Sequence, residues 1–270
     1  MTLQEDMEEI EGGGSSSGRY RAPALDKGLD ILEILAAQTG GMTRAELVKA
    51  MGRGPSEIYR MLERLVARGY VARIEGGDRY ALSMKLFLLA HSHPPLRRMA
   101  AQAQPLMDRF ALETQQSCHL VLPEAGVGIV TAQASPRAHW EFRVRVGAQI
   151  DLFETGSGQT LLAFQRPERR AETLAQWGVS DAEARLAPLL GHLDEVAAQG
   201  WREAPSRQLV GVIDLSAPVF GPHGEAAAAL TCAYIAHYHD APPVGRAETL
   251  EKLLTMTRAL SLPGRDEAAD

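Results

Sequence analysis

Between Arg44 and Arg79 the chain gathers side chains able to meet a polyanion: Arg44, Arg53, Ser56, Glu57, Tyr59, Arg60, Arg64, Arg73 and Arg79. A guanidinium can fork onto phosphate oxygens or a guanine edge. Glu57 only accepts hydrogen bonds, so it meets a base only at a donor such as the cytosine amino group. Near the helix start it could equally serve the helix dipole alone.

A second group lies downstream. Thr155-Gly156-Ser157-Gly158 stands ahead of an apolar helical run, where free backbone N–H groups and the positive helix end can face an anion. A tight turn whose glycines merely permit close packing explains the same residues. Asp214 interrupts the apolar run Val210–Val219, and a buried carboxylate needs partners, with Arg207, Thr231 or a ligand available. Strand alternation puts Val212, Asp214, Ser216 and Pro218 on one face, which reads as facing solvent or a cavity rather than a packed core.

Other chemistries are poorly served. His237, His239, Cys118, His119 and Cys232 tempt a zinc reading, but the closely spaced Cys/His pairs of structural zinc sites are absent, so no metal site is assigned and no cofactor is implied. Gly156-Ser157-Gly158 falls short of G-x-S-x-G, and Cys118 and His119 would point to opposite faces of a strand, so catalysis is not expected.

Local signals indicate the elements that position these residues. A helix opens at Pro23 and stops at Gly40-Gly41. Thr43 with Glu46 forms a capping box for a short helix through Met51. Gly52 breaks it, and Pro55-Ser56 starts a helix ending at Gly69. In that helix Ile58, Met61, Leu62, Leu65 and Val66 share one face, opposite the polar set. Strands Tyr70–Ile74 and Arg79–Leu82 flank Gly76-Gly77-Asp78, placing Arg73 and Arg79 on a wing. This layout is a helix-turn-helix followed by a hairpin.

Beyond the punctuation at His91–Pro95, a helix is predicted over Leu96–Gln115, with strands at Cys118–Leu122, Gly128–Ala132 and Trp140–Val146. Helices follow at Gln159–Gln165, Pro167–Trp177 and Asp181–Gln199. Strands Val212–Phe220 and Glu225–Ile235 precede a last helix, Val244–Leu260. Strands joined mostly by hairpins, with helices interspersed, make an α+β fold with a largely antiparallel sheet.

Composition fits this picture. The chain has 270 residues, 45% hydrophobic and 23% charged, which excludes wholesale disorder. No stretch is apolar enough to span a bilayer, so no membrane partner is expected, and the acidic start lacks a signal-peptide core. Two separated cysteines fit a cytoplasmic chain better than a disulfide scaffold. The net charge of −6 hides an asymmetry: residues 19–98 carry 14 Lys/Arg against 8 Asp/Glu, while both flanking segments are acidic. That division suits a basic part facing nucleic acid, although chance clustering yields the same count.

Leu25-Asp26-Lys27-Gly28-Leu29-Asp30-Ile31-Leu32, Glu57-Ile58-Tyr59-Arg60-Met61-Leu62, Leu65–Val71 and Arg79–Leu82 resemble the winged-helix domain of IclR-type transcriptional regulators. Gly147–Phe164 and Gly200–Phe220 resemble that family's effector-binding domain. The resemblance spans roughly residues 23–260. It implies a winged helix-turn-helix domain plus a C-terminal GAF/profilin-like domain, an operator in double-stranded DNA, a small organic acid (carboxylate or aromatic) as effector, and a homodimer or homotetramer. It also turns the Thr155–Gly158 motif toward anion binding and places Thr231 and Ala233 at the ligand pocket. Departures are evident. Pro55-Ser56-Glu57 stands where the family often has Lys-Ser-Thr, Ala204–Gln208 replaces an acidic stretch, and Ile213-Asp214 replaces Arg-Cys.

The expected organisation is an acidic Gly/Ser arm over 1–22, a DNA-binding domain over 23–83, a linker over 84–98, an effector-binding domain over 99–262 and a tail over 263–270. The competing reading is a small-molecule or metal-sensing module that does not bind DNA.

Overall fold

The computed structural model describes residues 22–74, 78–92, 94–137, 142–179, 181–236 and 244–262. The expected arm before Ala22, the wing-tip glycines Gly76 and Gly77, Trp140, the pair His237 and His239, and the tail from 263 fall outside them. The chain divides into two compact units between His93 and Pro94.

The first unit holds α1 (Pro23–Ala36), β1 (Met42–Thr43), α2 (Arg44–Met51), α3 (Pro55–Ala67), β2 (Val71–Arg73), β3 (Arg79–Leu82) and α4 (Lys85–Ser92). The capping box forms as expected, with Thr43 Oγ1 accepting from the Glu46 N–H and the Thr43 N–H donating to the Glu46 carboxylate. Gly52 ends α2 in the left-handed conformation at φ 59°, which side-chain-bearing residues adopt only at a cost. Ile58 and Leu62 of α3 are fully buried against Ile31, Leu35, Leu47, Val71 and Tyr80. Met61, Leu65 and Val66 pack at the edge of this core rather than inside it. The sheet order is β1-β3-β2, so Met42-Thr43 adds a short strand that the sequence pattern does not reveal. Lys85–Ser92 is helical, within a stretch predicted only as linker.

The second unit opens with α5 (Pro94–Thr114), followed by β4 (Cys118–Glu124), β5 (Val127–Ala134), β6 (Gln149–Asp151) and α6 (Gly156–Ala163). Next come α7 (Pro167–Gln176), α8 (Ala182–Leu186), a 3-10 turn at Ala187–Leu189 and α9 (Leu190–Gln199). It ends with β7 (Arg202–Pro205), β8 (Val212–Phe220), β9 (Ala226–Ile235) and α10 (Arg246–Leu260). The six strands run in the order β6-β5-β4-β9-β8-β7, every pairing antiparallel. One face packs on α5 and α10 through Met107, Phe110, Leu253 and Met256. The other packs on α6, α7 and α9 through Leu161, Leu162, Leu174, Leu193 and Val196.

Three local predictions need correction. No strand forms over 142–146. Gly147 turns the chain at φ 84° and the strand follows at Gln149–Asp151, because pairing with β5 resumes only there. The helix predicted over Asp181–Gln199 is interrupted at Ala187–Leu189, where Pro188 lacks the N–H a continuous helix needs. The face of β8 expected toward solvent or a cavity is covered by α6 along Ser216 and Pro218, both buried, and opens only near Asp214.

Candidate functional site

The polar side of α3 is exposed at Ser56, Glu57, Arg60 and Arg64, as amphipathic spacing requires once Ile58 and Leu62 are committed to the core. Several of its charges are already paired. Glu57 accepts a 2.7 Å bond from Lys27 of α1, and that contact holds its carboxyl below the usual range. One oxygen of Glu63 receives Arg44 at 2.8 Å and Arg73 at 2.6 Å. Arg44 also donates to the Tyr80 hydroxyl at 2.8 Å and lies over the ring of Tyr59. Arg79 donates to the Gly41 carbonyl and to Glu46, and Arg53 lies 3.9 Å from Asp30. These exposed pairs are weak and exchangeable. They hold a row of guanidinium groups against the helix-turn-helix without consuming them.

In the second unit a cavity of about 60 Å³ opens at the first turn of α6. Its walls include Thr155, Gly156, Ser157, Asp214, Thr231 and Ala233 from the predicted set, with His119, Phe142, Val144, Ile150, Ser206, Gln208, Leu209 and Val212 added. Strand register explains the grouping. Arg202 of β7 stands opposite Ser216 of β8, Ser216 opposite Thr231 of β9, and Thr231 opposite His119 of β4. Four polar side chains therefore cross four strands in one row, all at least nine-tenths buried.

Helix α6 lies on that row and pairs all of it but Arg202 Nη1. Ser157 Oγ is 2.7 Å from Thr231 Oγ1 and 3.2 Å from His119 Nε2, and Thr231 Oγ1 is 2.7 Å from Ser216 Oγ. Gln159 Oε1 accepts from Arg202 Nε at 2.8 Å. Burial pushes His119 down to about 4, so its ring is neutral near pH 7. Thr155 caps the helix by accepting from the Gly158 N–H at 3.0 Å. Gly158 is obligatory, since an added Cβ would stand 2.5 Å from the backbone of Leu152. The N–H groups of Gly156 and Ser157 lie in the first turn, where no acceptor exists within the helix.

Two predicted contacts change. Arg207 does not pair with Asp214. It is exposed and lies 3.3 Å from Glu154, because it falls in the loop beyond β7. Thr231 bonds to Ser157 and Ser216 instead of Asp214. The cation beside Asp214 is Arg202, whose Nη1 is buried with no hydrogen-bond acceptor. Sequence reasoning missed Arg202 because β7 carries no recognisable strand pattern. Its one clue was a lone cation directly after Gly200-Trp201. Cys118 and Cys232 face each other across β4 and β9 as free thiols on the α5/α10 face, away from His119. Among the described residues no cluster of three or more metal-ligating groups forms.

A helix-turn-helix with an exposed cationic helix face, joined to a sheet unit with a polar cavity at a helix N-terminus, defines a DNA-binding transcriptional regulator with an effector-binding domain. The comparisons agree. The Bacterial transcriptional regulator IclR C-terminal family matches residues 96–262 and the IclR helix-turn-helix domain matches residues 24–75; the chain belongs to the IclR family. It is 27% identical to the HTH-type transcriptional regulator BhcR of Paracoccus denitrificans over 81% of this chain and 79% of that protein. Identity to the transcriptional repressor IclR of Escherichia coli is 22%, over 77% of this chain and 78% of that protein. Among solved structures, an IclR homolog from Microbacterium hydrocarbonoxydans complexed with 4-hydroxybenzoate superposes with a TM-score of 0.68 at 21% identity, covering 88% of this chain and 97% of that one. Pseudomonas aeruginosa HmgR gives a TM-score of 0.68 at 24% identity, covering 89% and 98%. At these identities the structural likeness establishes the fold.

Proposed function

We propose that this regulator senses a small organic acid, carboxylate or aromatic, in the cavity at the start of α6, and that the acid changes its affinity for an operator. The observation that carries this reading is the buried, unpartnered Nη1 of Arg202, 3.1 Å from where a Cβ on Gly156 would stand, beside a cavity walled by Gly156 and Ser157 of the first turn of α6. The 4-hydroxybenzoate held by the Microbacterium hydrocarbonoxydans relative is an acid of this kind. An acid that binds one arrangement of the protein better than another shifts the population, and operator affinity shifts with it.

DNA contact falls to Arg44, Arg53, Ser56, Glu57, Tyr59, Arg60, Arg64, Arg73 and Arg79, with 23–83 as the DNA-binding part, 84–98 the connection and 99–262 the effector part. A recognition helix spans only a few base pairs, so two copies reading half-sites one helical turn apart are required. Leu25 and Leu29 are exposed on α1 and offer one surface for a homodimer or homotetramer. The protein works in the cytoplasm, where operators and metabolites meet; among the described residues no helix is long and apolar enough to cross a membrane.

Footprinting of the folded protein on the DNA upstream of its own gene, at low salt and with or without organic acids, tests the reading. A footprint altered by an acid supports it. The absence of any footprint overturns it.

A further inference from the structure

Among the described residues Asp214 is the one acidic side chain on the cavity wall. It sits on β8, diagonal to Arg202 on β7, and both approach the first residue of α6. Asp214 Oδ2 and Arg202 Nη1 each lie 3.1 Å from where a Cβ on Gly156 would stand, so glycine there leaves room for both. Burial raises the Asp214 carboxyl above its ordinary range, while Arg202 and the Ser206 hydroxyl oppose the rise. The other groups nearby do not compensate it: His119 on β4 is neutral, His192 on α9 is held below its ordinary range by burial and by Arg202, Arg207 in the loop is paired with Glu154, and α6 contributes N–H groups, hydroxyls and the Gln159 amide, which Arg202 already engages.

This arrangement restricts what the cavity accepts. An acid seated on the Gly156 and Ser157 N–H groups brings its carboxylate beside that of Asp214. Two adjoining carboxylates repel unless a proton or a hydrogen-bond donor lies between them. The hydroxyls of Ser157 and Thr231 are engaged in the buried row. Ser206 already serves Asp214, and Arg202 Nη1 stands by Gly156 where the acid's carboxylate would sit, so a donor next to that carboxylate would be the group that meets Asp214 across it.

Building on the acid-effector reading, we propose that Asp214, with the Arg202 guanidinium beside it, is the specificity-determining residue of this cavity, and that it selects organic acids carrying a hydroxyl or ammonium group next to the carboxylate. A site built to bond such a donor discriminates against the analogue lacking it, because the half-buried Asp214 carboxylate then loses that partner and faces the ligand's carboxylate directly.

Calorimetric titration of the full chain with matched pairs, lactate against propionate and 2-hydroxybenzoate against benzoate, tests this at pH 7.5. The wild type is expected to bind the hydroxylated member at least tenfold more tightly. Asp214→Asn, whose amide can donate to a carboxylate, is expected to bring the ratio within about twofold while still binding acids. In Arg202→Gln and the milder Arg202→Lys, the preference is expected to emerge at higher pH than in wild type, because Asp214 loses the cation that favours its ionised form. Loss of packing alone would weaken both ligands without moving that pH. Equal binding of both members by wild type overturns the proposal and leaves the acid-effector reading standing. Failure of every acid to bind overturns both.

Discussion

Ser157 Oγ lies 2.7 Å from Thr231 Oγ1, and this bond ties the first turn of α6 to the middle of the sheet beneath it. Both side chains are nearly inaccessible, and Thr231 passes the connection on to Ser216. Replacing the hydroxyl with a methyl group of the same shape therefore strands the Ser216 hydroxyl and leaves Ser157 only His119. Thr231→Val is expected to lower stability by about 1–3 kcal/mol in urea unfolding. An unchanged midpoint would mean that Ser216 finds another partner.

His119 makes stability depend on pH. Its folded pKa of about 4 lies below the ordinary 6.5, so between those values the unfolded chain binds more protons. The stabilisation is fully present above pH 6.5 and is lost as the pH falls toward 4, reaching about 3 kcal/mol. Thermal melts from pH 7.5 to 4.5 should show this decline. In His119→Gln the same interval should be flatter.

Gly158 admits no side chain. A methyl group there meets the Leu152 backbone, which has nowhere to move without dragging the turn that caps α6. Gly158→Ala is expected to cost about 3 kcal/mol. Chemical denaturation measures it, and a cost below 1 kcal/mol would contradict the close approach.

On the DNA side, Arg73 and Arg79 should serve the phosphate backbone. Arg73→Ala and Arg79→Ala are each expected to weaken binding to all sequences alike and to reduce the salt dependence of binding by about one unit. Fluorescence anisotropy across a salt series provides the slopes. Loss of affinity for only one sequence would assign a base contact instead.

Glu57 should behave in the opposite way. Glu57→Ala is expected to relax discrimination at one base pair by roughly tenfold, while non-specific affinity stays equal or rises as Lys27 is released. Binding-site selection with both proteins checks this. Identical preferences would reduce Glu57 to a partner of Lys27 and the helix dipole.

Much of this was legible before any coordinates. Determinants that act within one or two helical turns survive as sequence pattern, so the Thr43–Glu46 capping box and the split faces of α3 stand where they were expected. Of the Thr155–Gly158 turn, Thr155, Gly156 and Ser157 lie at the cavity wall, while Gly158 is pressed against the Leu152 backbone. Signals that depend on remote pairing did not survive. β7 is four residues long and ends on Pro205, so alternation cannot mark it, and with β7 unseen Arg202 had no assigned neighbour.

The sequence by itself determined the family, the helix-turn-helix and the antiparallel character of the second unit, because caps, breakers and apolar periodicity are local. Tertiary structure alone decided that Arg202, Ser216, Thr231 and His119 form one buried row under α6, and that Arg202 rather than Arg207 faces Asp214. The reason is register. A strand's side-chain pattern repeats every two residues, so the pattern alone leaves open which residue of a distant strand lies opposite, and that choice is made by ladder hydrogen bonds and the packing of both faces.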